Sequence, residues 1–450
     1  MRALILAYFF PPIGGGGVQR SLKFARYLPE HGYDVTVLTG PGLTTDQWSP
    51  ADETLETEIG PTVVVRVEDG EPVRTPWRER GEKWVGMPSA WSRWWTEGVV
   101  RAGVSMAKDA DVIVASMPPY RTAEAAVLLS RELGRPWVAD LRDPWALDER
   151  MIHASGLHRR WELQRMGRLL RTSSAVVAVS PEGARRIREQ MPQLHDRPVV
   201  SIPNGFDRSD FGDPPPERHD DVFRIVHAGS LYTDIGHRQR WRLRRLLSGS
   251  TPGVDILPNS LIYLLEAIDR LIERDPSLRS RIELLLVGVL AETDRKLAER
   301  SDVVRMTGYV SHHEAISLMR SADMLFLPLY NVLPGMRAST VPGKTYEYLA
   351  ARRPILAALP AGDARDMLVE AGNAHLCAPD DVEAIAAALE GQLRNTSAVP
   401  AAAPDTLLDR FERRRLTAAL ASVLDAVTGR AATDATQASD SVRGPAESTL

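Results

Sequence analysis

Short apolar segments alternate with helical patterns along most of the chain, and this alternation restricts the possible folds more than any other feature. Arg2 to Ala7 is predicted as a strand, Val18 to His31 as a helix that ends at Gly32, and Asp34 to Thr39 as a second strand. Three further strands are predicted with the same spacing, at 111–115, 136–140 and 175–180. Strands that alternate with helices pair in parallel, so the pattern predicts one parallel sheet with helices on both faces.

A second series of alternating strands and helices begins near residue 222. Its strands are predicted at 223–228, 282–287, 303–306, 324–329 and 354–358. Ligands of such sheets bind at the carboxyl ends of the strands. The fold class is therefore α/β, with two doubly wound Rossmann-like domains that face each other across a crevice.

The domain boundary is predicted from length and local composition. A chain of 450 residues is too long for one ordinary core. The stretch GDPPPERHDD combines prolines with charge, which places an N-terminal domain at 1–210 and a C-terminal domain at 211–405. We expect a helix at 406–428 that packs back across the domains, and a disordered tail at 429–450, where large apolar side chains are scarce.

Composition narrows the choice of compartment and partner. The net charge is −4, which gives no reason to expect a nucleic-acid partner. The single cysteine, Cys377, fits a reducing compartment. The first apolar segment lacks a basic region before it and a cleavage site after it, so a buried strand is a better interpretation than a signal peptide. We expect a cytoplasmic protein.

The glycine-rich segment PPIGGGGVQR follows the first predicted strand and opens the first predicted helix. Gly15, Gly16 and Gly17 would let the backbone approach a ligand, while the helix N-terminus offers unpaired N–H groups to an anion. A phosphate is the expected ligand. The glycines alone leave a flexible loop without a ligand as an equal alternative.

Charged residues follow the strand at 136–140 in the segment ADLRDPWALDER. Asp140, Arg142 and Asp143 are candidates to orient a polar substrate or to hold a hydroxyl proton. A structural ion pair is the favoured alternative for Asp140 or Arg142 taken singly. Asp143 is the stronger catalytic candidate, because Pro144 forces it out of helical geometry into an extended turn.

The segment VPGKTYEYLA contains Gly343-Lys344-Thr345, which looks like the end of a phosphate-binding P-loop. A P-loop needs a glycine five residues before the Gly-Lys pair, where this chain has Ala338. A P-loop also leaves a strand directly, and here 330–342 intervenes. The segment therefore needs another interpretation.

Nine motifs in order resemble those of family 4 retaining glycosyltransferases, which have the two-domain GT-B fold. They are PPIGGGGVQR, ASMPPYRTAEAA, ADLRDPW, AVVAVSPEGARRI, SIPNGFD, FRIVHAGSLY, ELLLVG, GYVSHHEAI and VPGKTYEYLAARRPILA. The resemblance covers residues 1 to about 425. It implies that the C-terminal domain binds a nucleotide-diphosphate sugar and the N-terminal domain an acceptor, and that VPGKTYEYLA is the donor signature.

The resemblance also assigns donor-binding residues. Glu347 stands where the family binds the ribose hydroxyls, and a carboxylate can accept hydrogen bonds from two such hydroxyls. Ser339 stands where the family often has a second glutamate against the sugar. Lys344 and Thr345 are expected to compensate by reaching phosphate or sugar oxygens, with Gly343 beside them and Gly229 at the end of FRIVHAGSLY.

Two further donor contacts are expected. The family's basic pair after FRIVHAGSLY lacks its usual spacing here, and the insert that follows offers Arg238 or Arg240 for the diphosphate, with a solvated basic loop as an equal alternative. The backbone near Tyr309 and Val310 is expected at the nucleobase. His312 and His313 are interpreted as a helix start and surface residues, not as metal ligands.

The expected reaction is retaining transfer of a sugar to an acceptor hydroxyl, in glycan or glycoconjugate biosynthesis. The departing phosphate would help to deprotonate the acceptor, and Asp143 would orient it. We expect no cofactor and no obligatory metal, because no Asp-x-Asp motif is suitably placed. A sugar-nucleotide epimerase and a non-catalytic sugar-nucleotide or partner-binding protein are the alternatives.

The acceptor could be a saccharide, a lipid-linked saccharide or a small molecule. The segment TPWRERGEKWVGMPSAWSRWWTEG interleaves tryptophans with basic residues, which suits peripheral contact with anionic lipid, and HRRWELQRMGRLLR could extend that surface. Trp91, Trp94 and Trp95 have helical spacing and could instead belong to the core.

Overall fold

The N-terminal half of the chain forms a seven-stranded parallel sheet. The computed structural model describes residues 1–42, 50–67, 70–72, 88–214, 217–241, 249–395, 399 and 402–430. The strands are β1 (Arg2–Leu6), β2 (Asp34–Thr39), β3 (Val63–Arg66), β4 (Val112–Met117), β5 (Trp137–Leu141), β6 (Ala175–Ala178) and β7 (Val199–Ser201). They lie in the order β3-β2-β1-β4-β5-β6-β7. The helices described between them are α1 (Gly16–Tyr27), α2 (Ala90–Met106), α3 (Thr122–Leu133), α4 (Gly156–Leu170) and α5 (Pro181–Gln190).

The C-terminal half forms a six-stranded parallel sheet of the same design. Its strands are β8 (Phe223–Ala228), β9 (Ile282–Val287), β10 (Val304–Gly308), β11 (Met324–Pro328), β12 (Ile355–Ala358) and β13 (Ala374–Cys377), in the order β10-β9-β8-β11-β12-β13. Its helices are α6 (Thr233–Arg240), α7 (Ile262–Arg274), α8 (Glu292–Ala298), α9 (His312–Arg320), α10 (Gly343–Ala350), α11 (Asp363–Ala371) and α12 (Val382–Leu393). In each sheet the first strand of the domain, β1 or β8, is the point at which the order of successive strands changes direction, as in a Rossmann fold. The predicted fold class is confirmed.

Each sheet is buried on both faces, which explains the near-continuous apolar strands. In β1, Leu4 and Leu6 pack into one hydrophobic cluster, while Ala3 and Ile5 pack into the cluster on the opposite face. All six residues of β4 are buried. Successive side chains of a strand point to opposite faces, so the two layers of helices are held by alternate residues of the same strands.

Two short segments join the domains side by side. The first leads from β7 to β8, and the second leads through α13 (Asp405–Asp409) to α14 (Arg413–Thr428). The Phe206 N–H donates to the Phe411 carbonyl at 3.1 Å, and the Arg413 N–H donates to the Phe206 carbonyl at 3.0 Å. Helix α14 then packs on the N-terminal domain, with Leu420 and Leu424 fully buried in the cluster around β1. Residues 431–450, which include most of the tail, lie outside the described residues.

The tryptophan-rich segment is partly outside the described residues, since 73–87 is not among them. The remainder forms the start of α2, where Trp95 is fully buried and donates from Nε1 to the Thr122 hydroxyl at 3.1 Å. Trp91 and Trp94 pack against the same core. Trp95 therefore belongs to the core, and the partly buried Trp91 and Trp94 pack against it. Contact with a membrane stays a prediction.

The second basic segment forms α4, whose inward-facing Arg165 is also buried and ion-paired with Glu124 and Glu162. Within the described part of the chain, no helix is both long and apolar enough to span a bilayer.

Candidate active site

Three glycines follow neighbouring strands at the carboxyl edge of the second sheet. Gly229, Gly288 and Gly308 lie at the ends of β8, β9 and β10, and all have positive φ. At Gly229 φ is 95°, a conformation that favours glycine, and an added Cβ would lie 3.3 Å from the Lys344 Nζ atom. The edge therefore presents bare backbone with an amine above it.

Lys344 is held in place by a neighbouring imidazole. It lies in the first turn of α10, and its Nζ is 3.2 Å from His227 Nε2. His227 Nδ1 lies 3.0 Å from the Phe326 carbonyl oxygen, so Nδ1 carries the proton and Nε2 accepts from Lys344. Burial lowers the pKa of Lys344 to about 7, although Glu347 opposes the shift. Burial and then Lys344 lower the pKa of His227 well below its usual value, so this imidazole is neutral.

Glu347 lies one turn further along α10 and faces two cationic groups. Its Oε1 is 3.0 Å from His312 Nε2 and 3.8 Å from an Arg413 guanidinium nitrogen. Burial alone would raise the pKa of Glu347, but the His312 hydrogen bond and the Arg413 charge hold it below its usual value. His312 begins α9 as predicted, but the expectation that it is a surface residue is wrong, because its side chain is only 17% exposed and pairs with Glu347. His313 is exposed.

Ser339 and Thr345 are both buried. The Ser339 N–H and hydroxyl donate to the two carboxylate oxygens of Glu149 at 2.8 and 2.7 Å, and the Ser180 hydroxyl donates to the Ser339 carbonyl at 2.6 Å. Ser339 thus joins the C-terminal domain to the N-terminal domain. Thr345 is fully buried, and its hydroxyl has no hydrogen-bond partner among the described residues. Its contact with a phosphate or sugar oxygen stays a prediction.

The glycine-rich loop is anchored at one end and exposed at the other. Gly14 N–H donates to the Pro50 carbonyl, and Asp52 N–H donates to the Pro12 carbonyl, both at 2.6 Å. Gly15, Gly16 and Gly17 are exposed where α1 begins. The loop therefore presents the helix N-terminus to the crevice on a fixed support.

Arg142 lies directly beside this loop. A Cβ at Gly17 would lie 3.3 Å from an Arg142 guanidinium nitrogen. Arg142 bonds to the carbonyls of Met117 and Pro118 at 3.4 and 3.2 Å, and it has no ion pair with any described carboxylate. Burial lowers the pKa of this guanidinium, which nevertheless stays charged. A cation without a counter-ion at a helix N-terminus suits an anionic ligand.

Asp143 and Asp140 have different environments. The Asp143 carboxylate is partly exposed and accepts from Arg150 at 2.5 Å, and burial raises its pKa. Asp140 is fully buried and bound bidentately by Arg20 of α1, with a shortest distance of 2.7 Å. Asp140 is therefore the structural ion pair that the sequence favoured, and it fixes α1 against β5.

Tyr309 crosses the crevice. Its hydroxyl donates to Asp52 Oδ2 at 2.8 Å, and a Cβ at Gly14 would overlap that hydroxyl. Burial and then Asp52 raise the pKa of Tyr309. Val310 instead packs on the hydrophobic cluster beneath. The C-terminal domain thus touches the glycine-rich loop of the N-terminal domain at Tyr309.

The basic insert is only partly described, because residues 242–248 are not included. Arg240 forms a two-bond ion pair with Asp255, at 2.5 and 3.0 Å. Arg238 is exposed and bonds to the Asp234 carbonyl of its own helix at 3.2 Å. Neither guanidinium contacts Lys344 or its partner His227. Among the described residues, no group of three or more His, Cys, Asp and Glu side chains could hold a metal ion.

Several site residues could not be singled out from the sequence. Arg20 and His227 lie inside quoted motifs and Arg413 lies in none, but none of the three was singled out, because each acts through a partner more than 60 residues away in the chain. Asp52 lies between predicted elements, and Glu149 is the penultimate residue of the quoted segment ADLRDPWALDER, without an adjacent glycine or proline to mark it. The one feature of the sequence that could have pointed to such site residues is a polar residue next to the end of a predicted strand.

Two family models match consecutive parts of the chain. Residues 15–205 match the Glycosyl transferase 4-like domain, and residues 256–395 match the Glycosyl transferases group 1 model. No curated protein sequence matches the chain.

Solved structures share the fold at low sequence identity. HepE from Anabaena, in complex with UDP and glucose, is 16% identical with a TM-score of 0.59, over 95% of this chain and 100% of that chain. Sucrose-phosphate synthase from Thermosynechococcus elongatus is 14% identical with a TM-score of 0.59, over 95% and 96%. With both domains matched in order and the sheets paired as observed, the chain belongs to the family 4-like glycosyltransferases of the GT-B fold.

Proposed function

We propose that the protein transfers a sugar from a nucleotide-diphosphate sugar to an acceptor hydroxyl with retention of anomeric configuration. The observation that carries this proposal is the position of Lys344 above Gly229, at the switch point of the donor sheet. A crevice with bare backbone, one amine and a helix N-terminus suits a diphosphate. The HepE structures with UDP and with UDP-glucose support a donor of this class.

The donor would be bound by three groups of the C-terminal domain. Lys344 and the first N–H groups of α10 would bind the diphosphate. Lys344 would then supply the positive charge that was expected from Arg238 or Arg240 of the basic insert. Glu347 would accept the ribose hydroxyls through the oxygen that His312 leaves free. Tyr309 marks the nucleobase side, since it follows Gly308 at the end of β10.

The N-terminal domain would complete the phosphate site from the opposite side. Gly15 to Gly17 and Arg142 face the crevice without a counter-ion among the described residues. Negative charge builds on the diphosphate as its bond to the sugar breaks, so fixed cations on both sides stabilise the transition state more than the ground state.

The chemical step would take place on one face of the sugar. The bond between the anomeric carbon and the phosphate oxygen breaks, with its electron pair leaving on the nucleoside diphosphate. The acceptor oxygen forms the new bond on the same face, and its proton passes to a departing phosphate oxygen. Asp143 would orient the acceptor hydroxyl by accepting a hydrogen bond, since its second oxygen is not held by Arg150.

A donor screen tests this function. Thermal unfolding is measured with a panel of nucleotide sugars that begins with UDP and UDP-glucose, because a bound ligand raises the midpoint by an amount that grows with its affinity. The stabilising donor is then incubated with and without acceptor alcohols. Transfer with retained configuration supports the proposal. Isomerised donor without transfer indicates an epimerase, and stabilisation without turnover indicates a binding protein.

A further inference from the structure

An aromatic stack lies at the carboxyl edge of the N-terminal sheet, outside the phosphate site. Tyr120 follows the end of β4, and Trp145 follows the end of the neighbouring strand β5. Their rings are stacked in parallel, with centroids 4.7 Å apart and an angle of 3° between the ring planes. Adjacent parallel strands thus bring two aromatic residues together where a ligand of this domain would bind.

The inner ring of the stack is rigid. Trp145 is buried, its Nε1 donates to Glu162 at 3.0 Å, and the Arg165 guanidinium lies 5.2 Å from its ring. Arg165 is itself fixed by ion pairs to Glu124 and Glu162. The charged groups that pack around Trp145 therefore balance each other and hold the ring in one position.

Trp145 also has an unusual backbone. Its φ is 52°, in the left-handed region that a bulky residue rarely adopts, and its N–H donates to the Asp143 carbonyl at 2.7 Å. Such strain persists only where surrounding contacts impose it, and it is concentrated at functional sites. The turn that places Asp143 in the crevice is thus the same turn that places Trp145 under Tyr120.

The outer ring remains available. Tyr120 is partly exposed, and its hydroxyl makes no hydrogen bond to any residue in the described ranges. Asp143 lies in the turn next to the stack, since its carbonyl accepts from the N–H of Trp145, on which Tyr120 stacks. Burial, and next the charge of Asp143, raise the pKa of Tyr120. Arg142, bonded to the Pro118 carbonyl, lies on the same side with its guanidinium 5.9 Å from the Phe9 ring.

We propose that Tyr120, supported by Trp145, is the platform of an acceptor subsite that takes a pyranose ring. The apolar C–H face of a pyranose packs on an aromatic ring, while its hydroxyl groups reach a phenol and a carboxylate. Tyr120 supplies the ring and the phenol, and Asp143 supplies the carboxylate, at the carboxyl edge of the same sheet. This inference rests on the proposed transferase function and assigns the chemical class of the acceptor.

Saturation-transfer NMR with methyl glycosides tests the platform directly. Methyl α-glucopyranoside and methyl β-galactopyranoside are measured on protein saturated with UDP. Saturation of the ring C–H protons is expected in the wild type and in Tyr120→Phe, where loss of one hydroxyl should weaken binding about fivefold. Tyr120→Leu should reduce the signal at least tenfold. Tyr263→Leu, on the donor domain, is the matched control and should leave it unchanged.

Several outcomes overturn the inference. If Tyr120→Leu binds the methyl glycosides as the wild type does, Tyr120 is not the platform. If 4-methoxyphenol saturates and the glycosides do not, the platform takes an aromatic acceptor. If Tyr120→Leu fails to fold, Asp143→Asn replaces it, and unchanged glycoside binding in that variant contradicts the subsite. Failure of the transferase proposal is seen separately, because no nucleotide sugar of the panel would then raise the unfolding midpoint of the wild type.

Discussion

Lys344 is an amine whose charge depends on pH near neutrality. Its neighbours are a neutral imidazole and bare backbone, so little in the donor-free protein compensates its positive charge. A bound diphosphate would supply the missing counter-charge. The pKa of about 7 is thus expected for a buried amine in an anion-binding site that holds no anion.

The first prediction concerns the pH dependence of donor affinity. Below pH 7 the free protein carries the Lys344 ammonium, and above it the neutral amine must gain a proton to pair with the diphosphate. Affinity for UDP-glucose, whose diphosphate does not titrate here, should therefore fall up to about tenfold per pH unit above pH 7. Calorimetry from pH 6 to 9 measures this. Lys344→Arg should remove the slope, and an equal slope in that variant would assign it to another group.

The second prediction concerns Glu347. Glu347→Ala should weaken donor binding roughly 10- to 100-fold, because hydrogen bonds to a charged group are lost. The fold should survive, since Arg413 keeps its pair with Asp207 and His312 can become neutral. Glu314→Ala, on the exposed side of α9, is the control. Wild-type affinity in Glu347→Ala would show that the ribose lies elsewhere.

Residues with a local motif could be predicted from the sequence, and residues that act through distant partners could not. Gly15 to Gly17, Lys344 and Glu347 were found because glycines and a signature mark them. His312 was misjudged because its partners, Glu347 and Asp210, lie on other elements. Ser339 was noticed as a substitution, but its bond to Glu149 depends on how the two domains meet.

Secondary structure elements show the same limit. The strands in the middle of each sheet were predicted, whereas β3, β7 and β13 were missed. All three lie at the outer positions of their sheets and are only partly buried, with no fully buried residue in β3 and one each in β7 and β13. An edge strand buries less surface, so its sequence needs fewer apolar residues and gives a weaker signal.

The third prediction concerns helix α1. Gly16→Val should fold normally, because an added Cβ meets nothing within 4 Å, yet it should lower turnover far more than donor affinity. The loop belongs to the acceptor domain and would meet the phosphate from the far side. Gly156→Val is a matched control, since Gly156 also opens a helix with free space around it. Equal losses in kcat and in donor affinity would contradict this division between the domains.

At the scale of the whole molecule, the two domains touch on both sides of the crevice. Glu149 binds Ser339 on one side, and Asp52 binds Tyr309 on the other. The first contact is fully buried and includes Arg186 and Tyr330, whereas Tyr309 is 38% exposed. The Tyr309 contact is therefore the easier one to break when a donor enters.

The fourth prediction tests that contact with a double-mutant cycle. Tyr309→Phe and Asp52→Asn should each lower kcat/KM severalfold, and the double variant should be little worse than either, because one hydrogen bond links the pair. Thermal midpoints should change by only a few degrees. Effects on kcat/KM that simply multiply would show that the two residues act independently and that the contact does not hold the crevice closed.

The paired segments at Phe206 and Phe411 determine how the crevice can open. A single linker would leave the domains free to twist, slide and bend, but two hydrogen-bonded backbones in parallel resist shear and stretching. A Cβ at Gly205 would overlap the Phe411 carbonyl, so the two strands cannot be pushed apart by a side chain without strain. We therefore expect the domains to open by one rotation about an axis through the paired segments, which would bring Tyr309 and Asp52 back to the same register whenever the crevice closes.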